Sequence, residues 1–185
     1  MQWDRSSTIG IARNTCSFCA GNGTRVIRNR KVVPCLCVFR AVFRACFNRF
    51  RECVAKGAHI SPVTLERCHG REGMRVYSRK REEYIADFCL VSQRVLDAEE
   101  HRVFRFHFLL GADWRLCCRQ LKLSRGDFFH IVYRIEQKLG RTFAELKPYP
   151  LFPLDQYFGG MVEKVRPCLP PPAQLQGHFQ LPLSA

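Results

Sequence analysis

The apolar positions of this chain change period several times, and each change marks an element. Between Thr24 and Pro34, Val26, Ile27, Val32 and Val33 surround Arg28-Asn29-Arg30, a pattern that predicts a β-hairpin. From Val38 to about Ala55 the period becomes 3.6. Phe39, Val42, Phe43, Cys46, Phe47, Phe50 and Val54 fall on one helical stripe. Residues 58 to 78, with Pro62, Gly70 and Gly73, predict an irregular connector. A second long helix is expected from Arg79 to Leu96, capped by Ser78, with Ile85, Phe88, Cys89 and Leu96 on one face.

Three further helices follow in quick succession. Asp97 is a good N-cap for a helix to about Leu110, and Glu99 and Glu100 suit its positive end. Gly111 can stop it, and Asp113 can cap a short helix over Trp114 to Leu121. Lys122-Leu123 then form a tight turn, and Ser124 caps a helix to about Leu139, with Asp127 completing a capping-box variant. On that last helix Phe128, Val132, Ile135 and Leu139 are assigned to the core. Ser124, Arg125, Asp127, His130, Ile131 and Arg134 are assigned to the helix start and outer face. Helix, short helix, turn and capped helix with a polar outer face describe a helix-turn-helix. Beyond it, Pro148, Pro150 and Pro153 impose an extended path, while Leu151, Phe152 and Phe158 seek burial.

The predicted organisation is a flexible lead-in (1–15), a cysteine-rich hairpin with a basic helix (16–57) and a connector (58–78). A helical domain (79–146) then contains the helix-turn-helix (97–139). A Pro/aromatic tail packs back on the core (147–165), and the end is disordered (166–185).

Charge narrows the function classes. The 185 residues carry 30 Lys and Arg against 16 Asp and Glu, a net charge of +14, which favours a polyanionic partner, usually nucleic acid. Residues 25 to 56 hold nine Lys and Arg against one Glu. Arg40, Arg44 and Arg51 are the candidate phosphate contacts there, unless they simply solvate a helix face. No apolar run approaches the roughly 18 residues of a membrane span, and the first residues lack the apolar core of a signal peptide, so a cytoplasmic protein is expected. No nucleophile, base or phosphate-binding glycine loop stands at a recognisable spacing, so the expected role is binding, not catalysis.

Cysteine usage adds chemistry. Cys16-x-x-Cys19 is followed by Gly21 and Gly23, then by Cys35-x-Cys37. Two close pairs joined by a short excursion supply the four soft ligands of tetrahedral zinc, the other reading being four structural thiols. Cys68-His69 is an isolated pair and weak as a ligand set. The CxxCxGxG piece is similar to the zinc knuckles of J-domain co-chaperones and of some phage antiterminators. It occurs once, and its second pair is CxC.

The segment from Leu96 to Leu139 resembles region four of bacterial sigma factors. The likeness rests on Gly111, Cys118, Leu121 and Ser124-Arg125-Gly126; Lys122 stands where the turn usually carries glycine, and Phe129 is more apolar than the pattern. The whole chain is also similar to small bacterial proteins. These resemblances imply a mainly α fold: an N-terminal zinc-knuckle β-hairpin, then helices, then a C-terminal sigma-region-four-like helix-turn-helix. They imply a transcription regulator bound to double-stranded DNA through the residues at the start and outer face of the last helix. The alternatives are an adaptor on RNA polymerase, of antiterminator type, and a structural RNA-binding zinc protein.

Overall fold

The computed structural model describes Trp3 and residues 8–27, 31–58 and 72–159. Cys68 and His69, the N-terminal residues 1, 2 and 4–7, and residues 160–185 lie outside the described residues. The fold is mainly helical, with a two-stranded antiparallel hairpin near the N-terminus. Strand β1 (Thr24–Val26) pairs with β2 (Val32–Pro34), and Val26 faces Val32. Helix α1 (Leu36–Ala58) leaves the hairpin directly, and α2 (Glu72–Val95) begins earlier than Ser78 suggested. Then come α3 (Ala98–Val103), a π-helical segment (Phe104–Leu109), α4 (Trp114–Leu121), α5 (Arg125–Glu145) and a short α6 (Leu154–Tyr157). Among the described residues no helix is long and apolar enough to cross a membrane.

Local chemistry sets the helix starts. Asp97 accepts the amides of Glu99 and Glu100, and Glu100 reaches back to the Asp97 amide, so the capping box is complete. Asp113 accepts from Leu116 N at 2.7 Å, and Ser124 Oγ accepts from Asp127 N at 3.1 Å. Lys122 closes α4 with φ 55° and ψ 43°. A residue with a Cβ therefore occupies the left-handed region, where glycine is at ease. The helix begun at Ala98 widens into a π-turn, with Leu110 N bonded to Arg105 O. This brings the His107 ring edge-on to Phe128 (5.2 Å between centroids) and its Nδ1 within 2.9 Å of the Ala112 carbonyl.

Helix α5 is the centre of the packing, with α1, α2, α3 and α4 all against it. Phe43, Phe88, Phe104, Phe128 and Phe143 are fully buried and share one core with Ile135 and Leu139. The sequence stripe on α1 holds except at its end: Val54 is exposed and Cys53 is buried instead. Cys53 lies three residues after Phe50 and seven after Cys46, and so stays on the stripe. Two arrangements explain the close approach of α1 to α5. Gly140 meets the backbone of α1, where a Cβ would overlap the Phe39 carbonyl oxygen and stand 2.7 Å from its carbon. Beside it Glu136, buried on α5, receives Arg40 Nε and Arg44 Nε from α1, the latter at 3.2 Å.

The described segments flanking these helices pack against them as well. Trp3 packs edge-on to Phe39 and donates to Glu145 at 2.8 Å, and Thr8 is buried. Trp3 also packs against the small core of Cys19, Cys35 and Val38. After α5, Leu151 and Phe158 are buried, and Tyr157 Oη donates to Asp87 at 2.7 Å. The segment folds back onto α2.

Candidate metal centre and basic surfaces

The four candidate ligands converge. Cys16 starts a tight turn in which Ala20 N bonds to Cys16 O and Asn22 N to Cys19 O, each at 2.8 Å. Ala20, Gly21 and Gly23 all have positive φ, so the chain curls round the two sulfurs. Gly23 is required twice over, since a Cβ there would stand 2.6 Å from the Thr8 carbonyl oxygen. Cys35 N bonds to Gly23 O at 2.8 Å, tying the second pair, at the start of α1, to the first.

The Sγ atoms of Cys16, Cys19, Cys35 and Cys37 lie within 4.8 Å of one another. Cys16 stands 3.7 Å from Cys35, and Cys19 stands 3.5 Å from Cys37. Zinc–thiolate bonds of about 2.3 Å in a tetrahedron space the sulfurs by roughly 3.8 Å. The donor set therefore fits a four-coordinate metal ion and is compatible with zinc. The spacing of the second pair, CxC, does not spoil it.

As free thiols Cys16, Cys35 and Cys37 are unequal. The amide of Phe18 holds the Cys16 thiol down to about 7, burial opposing it and the Cys19 amide assisting. Burial pushes Cys35 up and takes Cys37 up to about 12, against the Arg13 amide. Loading a dication must therefore displace protons from Cys35 and Cys37, which makes affinity fall in acid.

The structure sorts the candidate nucleic-acid residues less kindly. Ser124 is the cap of α5, and its hydroxyl donates to Asp127 Oδ2 at 2.7 Å, so Asp127 is occupied by capping. Arg125 and His130 are exposed; the Arg125 guanidinium lies 5.1 Å from the Trp114 ring centroid. Ile131 was expected on the outer face and is instead 3% exposed within the core. The reason is helical arithmetic: Ile131 follows Phe128 by three residues and precedes Ile135 by four, which places all three on one stripe. Arg134 Nε lies 3.3 Å from Oε1 of the buried Glu100, and Lys138 Nζ lies 2.7 Å from its Oε2. Arg134 thus ties α5 to α3, with its side chain still 53% exposed.

On α1 two of the candidate cations are also engaged with an acid. Arg40 and Arg44 were candidate phosphate contacts, but both neutralise Glu136, a carboxylate that would otherwise be buried without a counter-charge. Arg40 also lies over the Tyr133 ring, 4.3 Å from its centroid. Arg51 is exposed.

The two buried glutamates are the residues that sequence reasoning missed. Glu100 was read only as a helix-start acid, and Glu136 was not singled out. A signal existed for Glu136: it adjoins Ile135 at the border of the apolar stripe, opposite basic residues spaced four apart on α1. No protein-family model, no curated protein and no solved structure matches the chain.

Proposed function

We propose that the chain is a DNA-binding regulator of transcription, with zinc at Cys16, Cys19, Cys35 and Cys37 and with α4, the Lys122 turn and α5 acting as a sigma-region-four-like helix-turn-helix. The observation that carries this reading is the charge around the start of α5. Arg115, Arg119, Lys122 and Arg125 are all exposed and make no ion pair among the described residues. The acids that flank them, Asp113 and Asp127, are occupied by caps. A cationic collar round a helix N-terminus suits the phosphates on either side of a major groove, where the first residues of the helix meet base edges. Arg125 and His130 are the side chains best placed to read sequence, with Ser124 beside the backbone. Arg134 mainly positions α5 through Glu100. The role is binding, with no catalytic step.

A second reading has its own observation. Leu110 and Leu116 are exposed and line an open groove of about 600 Å³ with Arg115 and Arg119 at its rim. That surface supports an adaptor docked on RNA polymerase. Arg125→Ala/His130→Ala separates the two readings. For a DNA reader, titration against a selected duplex should show at least tenfold weaker binding with the helical circular dichroism unchanged, since a good base contact is worth about 1–3 kcal/mol. Unchanged affinity and sequence preference would leave the adaptor.

A further inference from the structure

The other basic end of the molecule has a different character from the start of α5. Residues 5 to 51 contain no Asp or Glu, while Arg13, Arg25, Arg28, Arg30 and Lys31 cluster in the sequence around the knuckle and hairpin. On this acid-free unit large apolar side chains are exposed beside Arg13, Asn14, Ser17, Asn22 and Lys31. Phe18, at the tip of the knuckle, is 71% exposed; Val26 and Val32, facing each other across the strands, are 69% and 61% exposed. With Ile27 and Arg25 they line one open depression of about 850 Å³. The Nε of Arg25 is shielded there with no hydrogen-bond acceptor among the described residues.

An exposed aromatic ring, apolar strand residues, Arg25 and the uncharged polar Ser17, Asn22 and Thr24, with no acid in the lining, make an unusual combination. Duplex nucleic acid does not satisfy it, because its bases are stacked on one another and a protruding phenyl ring meets only backbone. An apolar protein partner would gain nothing from cations without acids. Unpaired nucleotides satisfy every part: the base stacks on the ring, the phosphates take the cations, and the Arg25 Nε gains an acceptor. We propose that the knuckle–hairpin face binds single-stranded nucleic acid, with Phe18 as the stacking platform and Arg25 as a phosphate or base-edge donor.

The surface is separate from the proposed duplex reader. The hairpin feeds α1 at the level where Phe39 meets Gly140 of α5. Arg125 lies at the far end of that helix, roughly 22 Å away at 1.5 Å per residue. The two faces can therefore be tested one at a time.

The experiment uses the full chain, metal-loaded as purified, and fluorescein-labelled 12-nucleotide oligo(dT), oligo(rU) and a mixed-sequence duplex at one salt concentration. The single strands should bind, and the tighter of the two identifies DNA or RNA as the source of the unpaired strand. Phe18→Ala should weaken single-strand binding roughly 5- to 150-fold, the range for losing one stacked base. Phe18→Leu should weaken it nearly as much, because it keeps the apolar surface and removes the ring, whereas Phe18→Trp should retain it. Metal content and circular dichroism should not move, since Phe18 makes little contact with the fold, and duplex binding should be insensitive to all three. Conversely, Arg125→Ala/His130→Ala should leave single-strand binding intact. Equal single-strand affinity for the parent and Phe18→Ala would overturn the proposal. So would full binding by Phe18→Leu, or an absence of single-strand binding.

Discussion

Replacing Gly140 with alanine sets two well-characterised effects against each other, and the structure decides the sign. Glycine inside a helix is about 1 kcal/mol less favourable than alanine, so propensity alone makes Gly140→Ala stabilising. The contact with α1 says otherwise. The new Cβ would overlap the Phe39 carbonyl oxygen, stand 2.7 Å from its carbon and 3.1 Å from Phe43 N. Non-bonded carbons prefer roughly 3.5–4.0 Å. Since every atom met is backbone, no rotamer change gives relief and the helices must part locally by about 1 Å. That loosens the stacked Phe43–Phe143 pair, 6.3 Å between centroids, and the Arg40–Glu136 and Arg44–Glu136 ion pairs. Overpacking of this kind costs about 1–3 kcal/mol and occasionally more. A net loss of up to about 2 kcal/mol after the propensity gain lowers Tm by up to roughly 8 °C in a chain of this size. Thermal melts followed at 222 nm give the readout. Gly126→Ala is the control: it lies in the first turn of the same helix and meets only Ser124 Oγ, at 3.8 Å. It should hold or raise Tm. If Gly140→Ala raises Tm as well, the close packing of α1 on α5 is wrong.

Other outcomes follow from the turn, the buried acids and the thiols. Lys122→Gly should stabilise by about 0.5–1 kcal/mol in urea titrations, because the left-handed penalty of roughly 1–2 kcal/mol exceeds the entropy glycine adds to the unfolded chain; a loss of stability would contradict the turn geometry. Glu136→Gln should lower stability by about 1–3 kcal/mol. It should also steepen the salt dependence of duplex binding by freeing Arg40 and Arg44, and an unaltered log–log slope would show that these arginines cannot reach phosphate. The Asp97 carboxyl is held below its usual range, chiefly by the Glu100 amide. Its contribution is thus complete above the unfolded pKa of about 3.9 and is lost as pH falls through the lower folded value. Asp97→Asn should therefore flatten the stability–pH curve below about pH 4, and parallel curves would refute the assignment. Metal analysis should find about one zinc per chain, with Cys16→Ser releasing it and loosening the hairpin. Well under half an equivalent in chelator-free protein would refute the ligand set.

What could be foreseen from the sequence was what depends on near neighbours. Asp97, Asp113 and Ser124 cap because each finds its backbone amide donors within a few residues, and Cys16 and Cys19 face Cys35 and Cys37 because a short hairpin leaves the chain little choice. The fates of Arg40 and Arg134 could not be seen locally. Arg40 answers to Glu136, 96 residues further on, and Arg134 to Glu100 on another helix. Ile131 is a different case, since its spacing from Phe128 and Ile135 already placed it in the core. The widening at Phe104–Leu109 has no local signature in the sequence; in it His107 and Phe108 pack against Phe128 and Phe43, residues distant along the chain.

The role as a DNA reader is tested most directly by selection. The metal-loaded full chain is incubated with a library of duplexes carrying 20 random base pairs, at physiological salt, and the bound fraction is sequenced over successive rounds. The account predicts that one motif is enriched, bound about 10³-fold or more tightly than random duplex, and that Arg125→Ala/His130→Ala abolishes the enrichment while remaining folded. A folded, metal-loaded protein that retains DNA through charge alone, with no motif rising above the input library, would contradict it.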